Sequence, residues 1–386
     1  MTISKPDWLP ERHLGVAATL SHADELIGQV ADLLFEYQTQ PGDIVGLAEI
    51  PAGQISRTVV DRVAPIPRKV PLLVADALVN LRAALEHVLF AEVELLDGSP
   101  LYETAAKLVE MPASDTYDKF VTWLDKRAKK GPSSLRAGSE LVRRIDGLQP
   151  FHRPNAPQLH PLTRLVLHTN HAKHRAPAIT AVRIAAMYQD NERPHSVRDL
   201  PSRPEEPLRV GDVIAETPNG TQVPVTLFPT IGINRPGTDR WPVLVQELDE
   251  IAYWVRTQAI PRLVTGAEPR EPALPTRYEI AVGHDDERRA IAAGSTTSAA
   301  DRHRQRLSAA SVRGDLVDTI CRVKGAPSAE QITAWLTHLS DEEVLDRMSR
   351  LQATDTYDPD VAVVRRNLDV LSSLRDEALA FRHDQR

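Results

Sequence analysis

The chain has 386 residues, enough for two or three domains, and its 42% hydrophobic and 26% charged content is ordinary for a globular protein. A net charge of −7 excludes a surface that is basic throughout and leaves room only for a local basic patch. The single cysteine, Cys321, excludes an internal disulfide and a thiolate-rich zinc site. With no apolar leader and no run of ~18 uncharged apolar residues, a cytoplasmic protein without a membrane span is expected.

Residues 1–19 read as an irregular lead-in. Ser21 is placed to cap a helix reaching about Gln38, with Leu26, Val30 and Leu33 on its apolar face, ended by Gln40-Pro41-Gly42-Asp43. From Ile44 to Val63 the pattern turns β-like, and two strands flank Pro51-Ala52-Gly53 as a hairpin. Pro65, Pro67 and Pro71 lead into Val74–Leu96, the longest run of helical periodicity in the chain. Val74, Leu78, Leu81, Leu85, Val88 and Leu89 form one stripe there, while Asp76, Asn80, Ala83 and His87 share a second face. Val79 and Phe90 flank that second face, which predicts a central helix covered on both sides.

Helices are predicted over Ser114–Lys130 and Ser134–Asp146, with Lys126, Arg127, Lys129, Lys130, Arg136, Arg143 and Arg144 as the one basic cluster. Such a run suits a solvated helix face, or a surface for a phosphate backbone. It lacks the interleaved aromatics that would stack bases. After Leu148-Gln149-Pro150-Phe151 the stretch His160–Arg175 reads as a helix, with Asn170, Lys173 and His174 on one face and Pro177 as its stop. Strand signals follow over Ala178–Met187, Leu208–Glu216 and Gln222–Ile233, the last two flanking the hairpin signal Pro218-Asn219-Gly220-Thr221. An amphipathic helix is expected from Trp241 to Val264, then a proline-rich break from Gly266 to Thr276. Beyond a short extended piece at Tyr278–Val282, the remainder is helical: a polar helix over Asp285–Leu307, two capping boxes at Ser328-x-x-Gln331 and Ser340-x-x-Glu343, and a last helix over Pro359–Phe381. Asp-Thr-Tyr-Asp occurs at 115–118 and 355–358, in surroundings too different to make a repeat.

These elements predict an α+β fold, mainly α. A helical bundle around one long helix carries a small antiparallel sheet over 20–265, a linker covers 266–283, and 284–386 form a C-terminal helical domain suited to protein contacts. No nucleophile elbow, Walker loop or dinucleotide fingerprint is present. His168, His171 and His174, with His152 and His160 nearby, lack a carboxylate within their helix, so no metal or cofactor is expected. Two constituents remain: Asn80, Arg82 and His87 on the central helix, and Asn170, Lys173, His174 and Arg175 on the later one. One reading of them is structural, with Arg82 paired to Glu86 at i,i+4 and His87 a satisfied histidine. The other brings them together in a groove or across a dimer seam.

The combination of N-L-R-A-A-L-E-H with a later L-Q-P-F-H and N-H-A-K-H-R resembles a group of uncharacterised actinobacterial proteins. Those carry an NLRSALDH helix, an LQPY break and an NxDKHR helix, then a small β-sheet and a closing helix, a likeness covering roughly residues 20–265. The R-x4-H helix (Arg82, His87) is in turn similar to the HEPN superfamily of higher eukaryote and prokaryote nucleotide-binding domains. Many members are metal-independent ribonucleases of toxin–antitoxin and antiviral defence systems. This chain departs in placing Ala83 where HEPN nucleases often have a polar residue, and Ala172 for the acidic residue of DKHR. The resemblance implies a helical interaction protein of bacterial defence or stress that binds RNA or a nucleotide without catalysis. Its alternative is an endoribonuclease acting by 2′-hydroxyl attack. In that alternative His87 is the base, Arg82 stabilises phosphoryl charge, and Asn80 orients. Lys173, His174 and Arg175 would then be phosphate contacts or structural partners, with Lys126, Lys129 and Lys130 available to an RNA backbone. A homodimer would complete the site, because Arg82 and His87 diverge on one helix.

Overall fold

The computed structural model describes residues 6–98, 100–189, 200, 203–221, 224–266, 270–352 and 360–381. Among the predicted features, the first five residues, 222–223 of the third late strand, 267–269 of the proline-rich break and the second Asp-Thr-Tyr-Asp lie outside them. The chain forms two compact units, Met1–Ala300 and Asp301–Arg386. It is mainly helical with small antiparallel sheets, the α+β class that the patterning predicts.

The first unit is built on α2 (Lys69–Asp97). Pro71 is tolerated because it falls in the first turn, where its missing N–H would have no partner. The helix ends at Gly98, whose φ of 76° suits glycine and whose N–H bonds back to the Glu94 carbonyl. Val74, Leu78, Leu81, Leu85, Val88 and Leu89 are all buried. Against them pack α1 (Leu14–Thr39), α6 (Pro161–His174), α7 (Leu244–Trp254) and α8 (Ile260–Thr265).

Helix α1 begins upstream of Ser21, after a 3-10 turn at Glu11–His13, so Ser21 is not a cap. Its hydroxyl donates to the Tyr278 carbonyl at 3.1 Å and accepts the Tyr278 N–H at 3.2 Å. With that side chain satisfied elsewhere, the helix continues through it. Residues 14–19 are therefore helical and not an irregular lead-in.

Short helices bridge the bundle: α3 (Glu103–Ala106), α4 (Tyr117–Ala128), capped by Thr116, and α5 (Glu140–Asp146), capped by Ser139. Gly138, with a φ of 84°, breaks the helix predicted to start at Ser134. The long helix predicted over 241–264 becomes α7 and α8, joined by a π turn at Val255–Ala259. Pro261 explains it: the ring cannot donate to the carbonyl four residues back and crowds it, so the ladder widens locally.

Among the described residues the strands make two sheets. In the first, β1 (Val45–Ala52) pairs antiparallel with β2 (Ile55–Val63), and β2 with β4 (Val213–Pro218). In the second, β3 (Thr180–Gln189) pairs antiparallel with β5 (Val225–Ile233), with a register shift between Ile184 and Ala186 beside Pro229, which has no N–H to give the ladder. The predicted hairpin at Pro51-Ala52-Gly53 forms. The one at 218–221 does not join its flanking strands. Gly220 turns the chain there, but Asn219 bonds through its N–H to Gln54 and through its amide to Gly53, so β4 stays beside the first hairpin while β5 joins β3.

The segment expected to link domains instead packs on the first unit. Leu274, Tyr278 and Ile291 are buried in its core, and the Thr276 hydroxyl donates to the Ser295 carbonyl at 2.8 Å. Helix α9 (Glu287–Ala292) ends before Gly294, so the predicted 285–307 helix is divided, and the unit boundary falls after Ala300. The second unit comprises most of α10 (Ala299–Ile320) with α11 (Ala329–His338), α12 (Asp341–Ser349) and α13 (Val361–Ala380). Its core gathers Leu316, Ile320, Ile332, Trp335, Leu336, Val344 and Leu374. Ser340 and Glu343 form the predicted capping box. Ser328 caps α11, but its partner Gln331 reaches the Ala378 carbonyl instead.

Leu85→Ala is expected to destabilise the first unit by about 2–5 kcal/mol, through lost transfer energy and the cavity left behind. Leu72→Ala, on the solvent side of α2, should stay within about 0.5 kcal/mol. Urea unfolding of both variants compares them, and equal losses would contradict the assignment of faces.

Candidate functional site

On α2, Arg82 and Glu86 stand one turn apart and are used structurally. Arg82 Nε donates to Glu86 Oε1 at 2.6 Å, Arg82 Nη2 donates to the Met111 carbonyl at 2.9 Å, and the Met111 N–H donates to Glu86 Oε2 at 2.9 Å. This closed ring fastens the segment before α4 onto α2, and leaves the Arg82 side chain only 11% exposed. His87 lies roughly 140° round the helix, exposed, with no side-chain hydrogen bond or ion pair among the described residues. Asn80 is half-buried and donates its amide to the Asp76 carbonyl at 2.9 Å. The trio Asn80, Arg82 and His87 does not converge within one protomer.

Helix α6 opens on Pro161, and His160 Nδ1 accepts the Leu162 N–H at 3.2 Å. Burial, aided by the charges of Arg153 and Arg164 and by His152, pulls the His160 imidazole down to about 4. It is therefore neutral at pH 7, which keeps the ring lone pair available for capping. On the inner face of α6, Arg164 and His168 meet Glu247 of α7, a carboxylate that is 1% exposed. Arg164 Nη1 donates to it at 2.7 Å, Arg235 adds a two-pronged contact at 2.9 and 2.7 Å, and His168 Nε2 lies 3.4 Å away. Burial alone would push the Glu247 carboxyl up. The hydrogen bonds from His168 and Arg235 and the charges of Arg164 and Arg235 outweigh it and hold the group at about 2.

The outer end of α6 presents Asn170, Lys173, His174 and Arg175, all exposed and without side-chain partners among the described residues. Helices α2 and α6 do pack together, as expected, but through small and apolar groups. A narrow cleft between them is lined by Ala75, Leu78, His168, His171 and Asn234. No hydrogen bond or ion pair joins Asp76, Asn80 or His87 to Asn170, Lys173 or His174, so the polar contact expected there is not made.

The basic cluster separates into two kinds of residue. Arg127 is buried: its Nε and Nη1 donate to the carbonyls of Leu108 and Trp123, and its guanidinium lies 4.0 Å from the Trp123 ring centre. Arg144 reaches the carbonyls of Leu263 and Val264, and Arg143 pairs with Glu140. Lys126, Lys129, Lys130 and Arg136 remain exposed without such partners.

Among the buried carboxylates that escaped the sequence reading, two sit in ion clusters. Besides Glu247 there is Glu92 on α2, 2% exposed, which accepts from Arg12 Nε at 2.9 Å and lies 2.7 Å from His13 Nε2. Burial opposes its ionisation, but the bonds from His13 and Arg12 prevail and lower its pKa. A signal was present in both cases. Glu92 sits among Leu89, Val88 and Val93, and Glu247 among Leu244, Leu248 and Ile251, each a carboxylate inside an apolar stripe.

Glu247→Gln should cost about 3 kcal/mol at pH 7, because it leaves Arg164 and Arg235 facing a neutral group in the interior. The pH dependence follows from the sign of the shift. The folded value of about 2 lies below the ordinary 4.5, so the contribution is complete above that ordinary value and is lost as pH falls from about 4.5 toward 2. The melting temperature of the wild type should therefore drop more steeply through that window than that of Glu247→Gln. Parallel slopes would count against the ion cluster. No family model, curated protein or solved structure matches this chain.

Proposed function

We propose that this chain is a non-catalytic helical interaction protein that binds RNA through the exposed polar end of α6, in the defence or stress setting that the sequence resemblance implies. The observation that carries this reading is the state of Arg82. Its fork is already closed on Glu86 and Met111, and His87 lies on a different face. Transition-state stabilisation would need that guanidinium free and near the reacting phosphate. Freeing it leaves Glu86 and the Met111 carbonyl without their partner, at about 1–3 kcal/mol per group.

RNA binding is supported by Lys173, His174 and Arg175, which stand beside Asn170 without internal partners, and secondarily by Lys126, Lys129 and Lys130. A cation with no internal partner gives up little when it meets a phosphate and releases its counterions. No helix among the described residues is long and apolar enough to cross a membrane. The C-terminal helices α10–α13 carry their own core and are available to a protein partner in this reading.

Fluorescence anisotropy with a labelled single-stranded RNA, in EDTA and over a salt series, tests the proposal. Binding should weaken with salt, and Lys173→Ala combined with Arg175→Ala should lower affinity and reduce the salt slope by roughly 1–2. The RNA should emerge intact. Cleavage in EDTA to 2′,3′-cyclic phosphate ends, lost in His87→Ala at an unchanged melting temperature, would instead assign the endoribonuclease activity.

A further inference from the structure

We propose that the cleft between β1 and β5 is a peptide-binding site, which takes an extended segment with apolar residues turned inward and a lysine or arginine at each end. The cleft has a volume of about 540 Å³, within the range of sites that hold ligands. Val45 and Leu47 of β1 line one side, Val225, Leu227 and Pro229 of β5 the other, and Gln38 stands at the end of α1. Each set falls at alternate positions of its strand, so its side chains share one face. Among the described residues none of β2 lines the cleft, which puts it on the outer side of β1.

That outer side is an open sheet edge, since β2 is the strand paired with β1. The Ala64 N–H donates to the Ile44 carbonyl, and antiparallel pairing alternates. Gly46, Ala48 and Ile50 therefore turn their main-chain groups to β2, and Val45, Leu47 and Glu49 turn theirs outward. The extra residue at the bulge, Asp61, belongs to β2, so the alternation runs unbroken along β1. No further hydrogen bond reaches the outward groups among the described residues. Such edges are commonly blunted by lysine or proline, but β1 has no lysine and its proline, Pro51, sits beside the turn. An extended peptide laid there gains main-chain hydrogen bonds and sends alternate side chains into the cleft.

The ends of the edge select charge. Asp43 and Glu49 bracket Val45 and Leu47 at the same two-residue step, are exposed, and have no ion-pair partner among the described residues. Arg62 donates to the Asp43 carbonyl at 2.8 Å and not to its carboxylate. A strand beside β1 sets its own alternate residues opposite these four, so the order it matches is basic, apolar, apolar, basic. That order reads the same from either end and serves a parallel or an antiparallel strand alike. The site shares no residue with the polar end of α6, so peptide binding and RNA binding stand or fall separately.

Fluorescence anisotropy on the full chain, with the labelled and capped peptide Lys-Thr-Val-Thr-Val-Thr-Lys, tests the proposal. Binding should saturate with a Kd on the order of 100 μM. A version with Pro-Pro in place of its central Thr-Val lacks two N–H donors and should bind at least about tenfold more weakly. Asp43→Lys combined with Glu49→Lys should weaken the lysine peptide by about tenfold and favour a peptide ended by glutamates instead. Leu47→Asp should release the peptide as well. All these positions are exposed, so the melting temperature should stay within a few degrees. A chain that ignores the peptide up to about 2 mM, holds the Pro-Pro version equally, or keeps its preference for lysine after the double reversal would overturn the proposal. So would a cleft that takes up a small apolar dye, the peptide failing to displace it.

Discussion

A helix of 29 residues holds in water only if enough of its side chains leave the water, because intrinsic propensity alone is marginal at that length. In α2 that condition is met along one continuous arc from Val70 to Val93, where nearly every inward residue is Leu, Val or Ala and is fully buried. Each such Leu or Val contributes about 1.5–3 kcal/mol through burial, so the arc as a whole dominates the stability of the first unit. Helices α1, α6, α7 and α8 are placed by their access to it. On the outer arc Asp76 and His87 are exposed, and their side chains make no hydrogen bond or ion pair among the described residues.

The arginines and lysines of this unit divide by chemistry. Arg12, Arg82, Arg127, Arg144, Arg164 and Arg235 turn inward onto carboxylates and main-chain carbonyls. Lys126, Lys129, Lys130 and Lys173 stay outside. A planar guanidinium can satisfy several acceptors at once when partly buried, whereas a compact ammonium is too strongly hydrated to follow it. The consequence for function is direct. The arginine that the R-x4-H spacing singles out is a bracket between α2 and the Met111 segment. Those lysines, with Arg136 and with Arg175 at the end of α6, are among the cations left accessible to a ligand.

Two of the buried carboxylates join elements of the α2-centred packing. Glu92 ties the N-terminal turn to α2, and Glu247 ties α6 and the Arg235 loop to α7. Neither ion cluster is a cheap source of stability, since desolvating a carboxylate and two guanidiniums offsets most of their attraction. What they supply is definition: a helix that slid by one turn would strand a charge in the interior, so only one packing register is tolerated.

Period and composition by themselves determined the class of the fold, the central helix with its buried stripe, the first hairpin, and the helical character of the C-terminal unit. These are legible because a 3.6-residue or two-residue hydrophobic repeat is a local property, written within a few turns of chain. Caps were legible where the side chain had no better partner, as at Ser340, and not where a distant backbone competed for it, as at Ser21 with Tyr278. Only the tertiary structure decided that the Asn219–Gly220 turn separates two sheets and that residues 270–300 close over the first unit. It alone decided, too, that Arg82 serves Met111 while His87 faces solvent. The reason is common to all three. A turn, a proline-rich strap or an arginine fork offers hydrogen bonds to whatever the fold brings near, and the partners lie 25 to 257 residues away, beyond any pattern a local window can hold.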